Sequence, residues 1–146
     1  MGNVHKYSEH YRTTYGGYSS ALGGETNDKL TSAAFVGAEN YDVVIVQALY
    51  SGIASGKIVT LTAYQATATN GGGSKTVTGA STSVTAAATT DTGILTVQVR
   101  GAELDMGSGF KYVGGIISTN NTSGTEQVGL WHVQGRARYP QSSLSA

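Results

Sequence analysis

Asp91-Thr92-Gly93 spells the Asp-Thr-Gly of dimeric aspartic proteases, in which two carboxylates from two chains share one proton across the dimer axis. Such enzymes deliver the aspartate on an apolar strand, whereas Ala88-Thr89-Thr90 precede it here, and Asp and Gly at a strand start are also ordinary turn chemistry. Gly71-Gly72-Gly73-Ser74-Lys75-Thr76 has the look of a phosphate-cradling loop, but that loop needs a Gly-Lys-Ser/Thr run opening a helix, and no helical pattern follows. His5, His10 and His132 are the only histidines, with no spacing that brings two imidazoles onto one metal. Glu103, Asp105 and the pair Asn120-Asn121 could offer oxygens to calcium, and equally read as solvated loop polarity. Asn120-Asn121-Thr122-Ser123 also holds overlapping glycosylation sequons, which matter only in a secretory pathway. No catalytic residue, metal or cofactor is expected, and the chain reads as a binding protein rather than an enzyme.

Composition narrows the partners. Of the 146 residues only 12% are charged, and nine Lys and Arg balance nine Asp and Glu, so neither nucleic acid nor an anionic membrane has an electrostatic claim. Cysteine is absent, which leaves packing and association with other chains to hold the fold. No stretch approaches the ~20 apolar residues of a membrane span, and Met1 to Ser20 lacks the apolar core of a secretion signal, so a soluble chain is expected.

The elements that would position these residues are strands. Tyr41 to Tyr50 is continuous enough in Val and Ile to be buried on both sides or to lie at a subunit contact. Lys57 to Thr69 alternates, with Val59, Leu61 and Ala63 on one face and Thr60, Thr62 and Tyr64 on the other. Asn70-Gly71-Gly72-Gly73-Ser74 predicts a hairpin turn. Lys75 to Thr92 reads as one short edge strand and a long loop. Alternation returns in Ile94 to Arg100, with Leu95, Val97 and Val99 facing one way. Gly101 to Gly109 is a connection, and Phe110 to Ser118 and Glu126 to Tyr139 are the last two strands. Trp131 sits opposite in phase to Val128, Leu130 and His132, as a core anchor or an interface anchor. The pattern predicts an all-β antiparallel sandwich, jelly-roll-like, over residues 41–140, followed by a flexible tail over 141–146.

Residues 1–40 differ in kind. Tyr7, Tyr11, Tyr15 and Tyr18 recur at spacings of four, four and three, yet Gly16-Gly17 and Gly23-Gly24 work against a helix. The segment is expected to be an extended docking arm that binds a neighbour through its tyrosines, while the domain from Tyr41 folds without it.

Ala63-Tyr64-Gln65-Ala66, the Asn70 to Ser74 turn, Phe110-Lys111-Tyr112-Val113, Gly124-Thr125 and the closing Val133-Gln134-Gly135-Arg136-Ala137-Arg138-Tyr139-Pro140 together resemble a family of small structural proteins of tailed bacteriophages. The resemblance covers residues 41–140 and departs from the pattern at Val77, where a Trp often stands, and at Gly114, where a second basic residue does. It implies a capsid decoration or cement protein on the outer capsid surface of the virion, assembled in the host cytoplasm. Such a protein binds and bridges subunits of the phage major capsid protein, and the resemblance implies a homotrimer. The alternative it leaves open is a tail or baseplate component, including a host-surface-binding module.

Overall fold

Strands whose polarity alternates every second residue put one face inward and one outward, and two such sheets can close on each other. The computed structural model describes residues 11–88, 91–122 and 124–137. Among them run β1 (Tyr11–Ser19), β2 (Lys29–Thr31), β3 (Val36–Gly37), β4 (Tyr41–Ile53), β5 (Ile58–Ala66), β6 (Lys75–Thr85), β7 (Asp91–Arg100), β8 (Tyr112–Thr119) and β9 (Gln127–Ala137), with short 3-10 turns between some of them. No helix among these residues is long and apolar enough to cross a membrane.

One sheet has the order β1-β9-β4-β7 and the other β2-β8-β5-β6, with β3 pairing β8 beyond the end of β2. Every pairing is antiparallel. Only β5 and β6 are joined as a hairpin within one sheet, and from β3 onward every other connection crosses between the sheets. Strands shuttling in this way between a four-stranded and a five-stranded sheet, β2 and β3 sharing one place beside β8, make a jelly roll. The fold is an antiparallel β-sandwich.

Its core is aliphatic. Val44, Val46 and Ala48 of β4, Val97 and Val99 of β7, and Val128 and Leu130 of β9 face Val59 and Leu61 of β5 and Val113 and Ile117 of β8. Each such side chain contributes about 1.5–3 kcal/mol when fully removed from water. Polar ties also cross the two layers, Gln134 Nε2 donating to the Gly37 carbonyl at 2.6 Å among them. The Oγ of Ser32 accepts the Gly115 N–H at 2.7 Å and lies 2.8 Å from Nε2 of His132, so β8 and β9 are linked through a buried hydroxyl.

Three expectations are corrected. The sandwich does not begin at Tyr41: β1, β2 and β3 are its strands, and Leu22 and Phe35 are buried. A Gly- and Tyr-rich segment cannot build a core of its own, but as an edge strand it needs only one face against a sheet that already exists, and β9 supplies its hydrogen bonds. Residues 75–85 form a full strand rather than a short one, because Ser and Thr suit an edge with a solvated face as well as Val does. Gly79, at φ +75° with open space around its α-carbon, bends that edge. Glu126 precedes the last strand rather than starting it and is fully buried. Tyr7 and the tail at 141–146 lie outside the described residues.

Candidate interaction face

The outward side chains of β1, β9, β4 and β7 stand in register, and the strand pairings sort them into rows. Tyr11, Gly135, Val43 and Arg100 make the first row; Thr13, Val133, Ile45 and Gln98 the second; Tyr15, Trp131, Gln47 and Thr96 the third; Tyr18, Gly129, Leu49 and Ile94 the fourth. Nine of these sixteen are aromatic or large aliphatic residues, too many for an ordinary solvated face. Tyr15 is 69% exposed, Tyr18 56%, Ile94 56% and Leu49 43%, so this is an apolar face in water rather than a part of the core.

A bulge puts the third tyrosine on it. Tyr11 and Tyr15 share a face by simple alternation, and Tyr18, three residues on, would point the other way. The pairing with β9 slips between Tyr15 and Gly17, so that Tyr15 opposes Trp131 and Gly17 opposes Leu130. Gly17 takes φ +148°, and a Cβ at Gly16 would stand 2.8 Å from the Leu130 carbonyl oxygen. The glycines that rule out a helix here make the bulge, and the extra residue restores Tyr18 to the phase of its fellows.

Two hydrogen bonds run along the third row. Trp131 Nε1–H donates to Oε1 of Gln47 at 2.8 Å, and Gln47 Nε2 donates to Oγ1 of Thr96 at 3.2 Å. A neighbour could therefore cover Trp131 without stranding its indole N–H, which lowers the desolvation cost of a contact there. Relief comes from two glycines of β9. A Cβ at Gly129 would meet nothing within 4 Å, which leaves a notch between Tyr18 and Leu49; one at Gly135 would stand 3.0 Å from both Tyr11 and Val43, so that position is filled by its neighbours. At the first-row end a shallow concavity of about 570 Å3 is lined by Tyr11, Asp42, Val43, Ile45, Gln98, Arg100 and Arg136 among others. Arg136 takes φ +55° there.

No family model and no curated protein matches the chain. Among solved structures, it is similar to the infectious bursal disease virus VP2 subviral particle, at 13% identity over 88% of this chain and 32% of that one, with a TM-score of 0.48. It is similar to a structure titled "CBM4 structure and function", at 14% identity over 92% of this chain and 81% of that one, with a TM-score of 0.40. The structure of Broad Bean Stain Virus is matched at 12% identity over 79% of this chain and 67% of that one, with a TM-score of 0.39. The chain spans about a third of the length of the VP2 chain it matches.

Of the residues singled out in the sequence, Tyr11, Tyr15, Tyr18 and Trp131 are brought together on this one face. Trp131 is half-buried among its row rather than in the core. The remaining candidates are dispersed and have local work. Asp91 opens β7, its carboxylate accepting the N–H groups of Ala87 at 3.2 Å and Thr92 at 3.1 Å, which is turn chemistry. Gly71 to Ser74 closes the β5–β6 hairpin, with the Gly72 N–H on Asn70 Oδ1. Glu103 accepts the Arg100 N–H, Asp105 pairs with Lys75 at 2.8 Å, Asn120 accepts the Ile58 N–H, and Asn121 donates to buried Glu126. The hydrogen bond from Lys75 holds the Asp105 carboxyl below its ordinary pKa. Among the described residues no cluster of three His, Asp or Glu is placed to hold a metal.

Leu49, Ile94 and Gly129 complete the face; sequence reasoning names none of them singly, although it offers a subunit contact for the strand that carries Leu49. A signal for the first two exists: in Tyr41 to Tyr50 both alternation phases are apolar, and Ile94 stands beside Leu95. Two apolar phases in one strand mean that both faces seek cover.

Proposed function

We propose that this chain is a virion structural protein of a tailed bacteriophage, one that decorates the outer capsid surface and binds and bridges major coat subunits without catalysis. The observation that carries the reading is the apolar outer face of the β1-β9-β4-β7 sheet, held on a sandwich whose own core is already closed. A monomer gains nothing in water from tyrosines left 69% and 56% exposed, whereas a repetitive assembly puts such a face to use. The near absence of net charge suits a dense shell, in which like charges on neighbouring copies would repel. The resemblance over residues 41–140 points to the class of assembly, and the apolar face is a surface on which subunits of such an assembly meet.

Labelled protein mixed with purified virions and with emptied shells tests this directly. Saturable labelling of shells, weakened by replacing Tyr15 and Tyr18 with Ser, is the expected result. Labelling of host cells with bare shells overturns it and favours a host-surface-binding module.

A further inference from the structure

We infer that the outer face of the β1-β9-β4-β7 sheet is covered by a second copy of this chain, in a two-fold pair whose axis runs parallel to the strands between β9 and β4. The inference rests on reading this face as an assembly surface, and it names what covers it.

The rows are self-complementary about that axis. Rotation keeps each row at its own level and exchanges its ends, so β1 of one copy lies over β7 of the other and β9 over β4. In the fourth row this sets Leu49 of one copy over the open notch at Gly129 of the other, and the reverse, a knob meeting a hole twice. In the first row it sets Tyr11 of each copy against the Arg100 end of the concavity on the other, where a guanidinium can lie on a phenol ring. The other in-plane axis, perpendicular to the strands, would bury Arg100 against Ile94, a charge against hydrocarbon, and is disfavoured. Because the same patch serves both partners, the contact closes at two copies; the three-fold cluster implied by the resemblance would need two different patches.

Size and charge agree with this. Four strands about 4.8 Å apart and four rows about 6.7 Å apart present roughly 700–900 Å2 of accessible surface with their side-chain relief, close to the about 800 Å2 per partner of a standard interface. Two flat antiparallel sheets pack at about 10 Å with their strands nearly aligned, the arrangement this axis produces. Formal net charge is zero, so copies do not repel. A two-fold pair also carries two identical sets of its remaining surfaces, which is what bridging two coat subunits requires.

The test is self-association of the full chain in the absence of shells, followed by sedimentation velocity up to about 100 µM. The expected species has twice the chain mass. Gly129→Lys is the deciding variant, because the notch accepts a side chain in the monomer and is filled by Leu49 only in the pair; its dissociation constant should rise by about 30–100-fold while circular dichroism, and thermal melting of protein dilute enough to be monomeric, show the fold intact. Ile94→Lys, an exposed substitution on the same row, should weaken the pair independently. A monomer at the highest concentration, a trimer, or a dimer indifferent to both variants overturns the inference. If the chain stays monomeric yet still labels shells, the pair is wrong and the assembly on shells stands; a dimer that both variants weaken but that never labels shells supports the pair and removes the shell.

Discussion

The two sheets of this sandwich turn different chemistry toward water, one mostly hydroxyls with Ile58 and Tyr64 among them, the other mostly aromatic and aliphatic side chains. On the outer face of β2-β8-β5-β6, Thr60 stands beside Ser83 and Ser118, and Thr62 beside Ser81 and Ile116, with the Thr62 and Ser81 hydroxyls 3.0 Å apart. On the outer face of β1-β9-β4-β7 the corresponding positions hold tyrosines, Trp131, Ile45, Leu49 and Ile94. Both sheets bury an aliphatic inner face, so the fold does not ask for the difference. A face of mostly hydroxyls is at home in solvent, and one of mostly aromatic and aliphatic side chains leaves apolar surface that a contact would cover. On the proposed reading, the apolar side carries the contact between copies and the hydroxyl side stays outside that contact.

The largest effect should come from removing what the apolar face is built on. Deleting residues 1–40 takes away β1, β2 and β3, exposes the inner sides of β9 and β8, and removes Leu22 and the Ser32 link between the sheets. The loss is comparable with the whole stability of a domain, about 5–15 kcal/mol, and the truncated chain should show no cooperative thermal transition. A cooperative melt like that of the full chain would mean that β1 is an accessory on a self-sufficient sheet.

Matched lysines separate the faces themselves. Ile94→Lys on the apolar face should weaken association by about 2–4 kcal/mol, and Thr60→Lys on the hydroxyl face by less than about 0.5 kcal/mol, both read from sedimentation equilibrium. Equal effects would remove the distinction between the two sides.

Much of the contrast is legible in the sequence, and what is not has physical reasons. Alternation in Val59 to Ala63 and Leu95 to Val99 reports one buried face and one solvated face, and those strands lie where the pattern puts them. Long-range pairing is not written in alternation. That Tyr15 stands beside Trp131, far along the chain, follows from the jelly-roll order alone. Composition misleads at residues 11–40 because it measures whether a segment can make a core, whereas an edge strand borrows one. The bulge at Gly16-Gly17 is legible only as a helix breaker, since a bulge exists only relative to a partner strand.

Acid should loosen both faces together through His132. Burial holds this imidazole down at about pKa 4, partly offset by the nearby backbone of Thr14, against an ordinary value of 6.5. Its folded-state pKa is depressed, so between those values the unfolded chain binds the extra proton and stability rises with pH. The contribution is therefore full above about pH 6.5 and is lost as the pH falls toward 4, to an upper limit of about 3 kcal/mol. Urea midpoints at neutral pH and near pH 4.5 should differ accordingly. In His132→Gln that part of the pH dependence should disappear, and a variant that keeps it would place the titrating group elsewhere.

The smallest effect distinguishes two glycines on the same strand and the same face. Gly129 and Gly135 both point outward from β9, but a Cβ at Gly129 enters open space while one at Gly135 stands 3.0 Å from Tyr11 and Val43. Gly129→Thr should therefore stabilise the isolated fold by about 0.5–1 kcal/mol, since a β-branched residue suits a strand and glycine loses the most backbone freedom on folding. In a chain of this length that is a rise of about 2–4 °C in Tm. Gly135→Thr should lower Tm, because both neighbours must move to admit the side chain. The same Gly129→Thr change fills the notch that a partner needs, so one substitution should make the monomer more stable and the assembly weaker. Opposite signs in the melt of dilute protein and in the association constant mark Gly129 as kept open for a neighbour; a gain in both would make it an unfilled position in an ordinary strand.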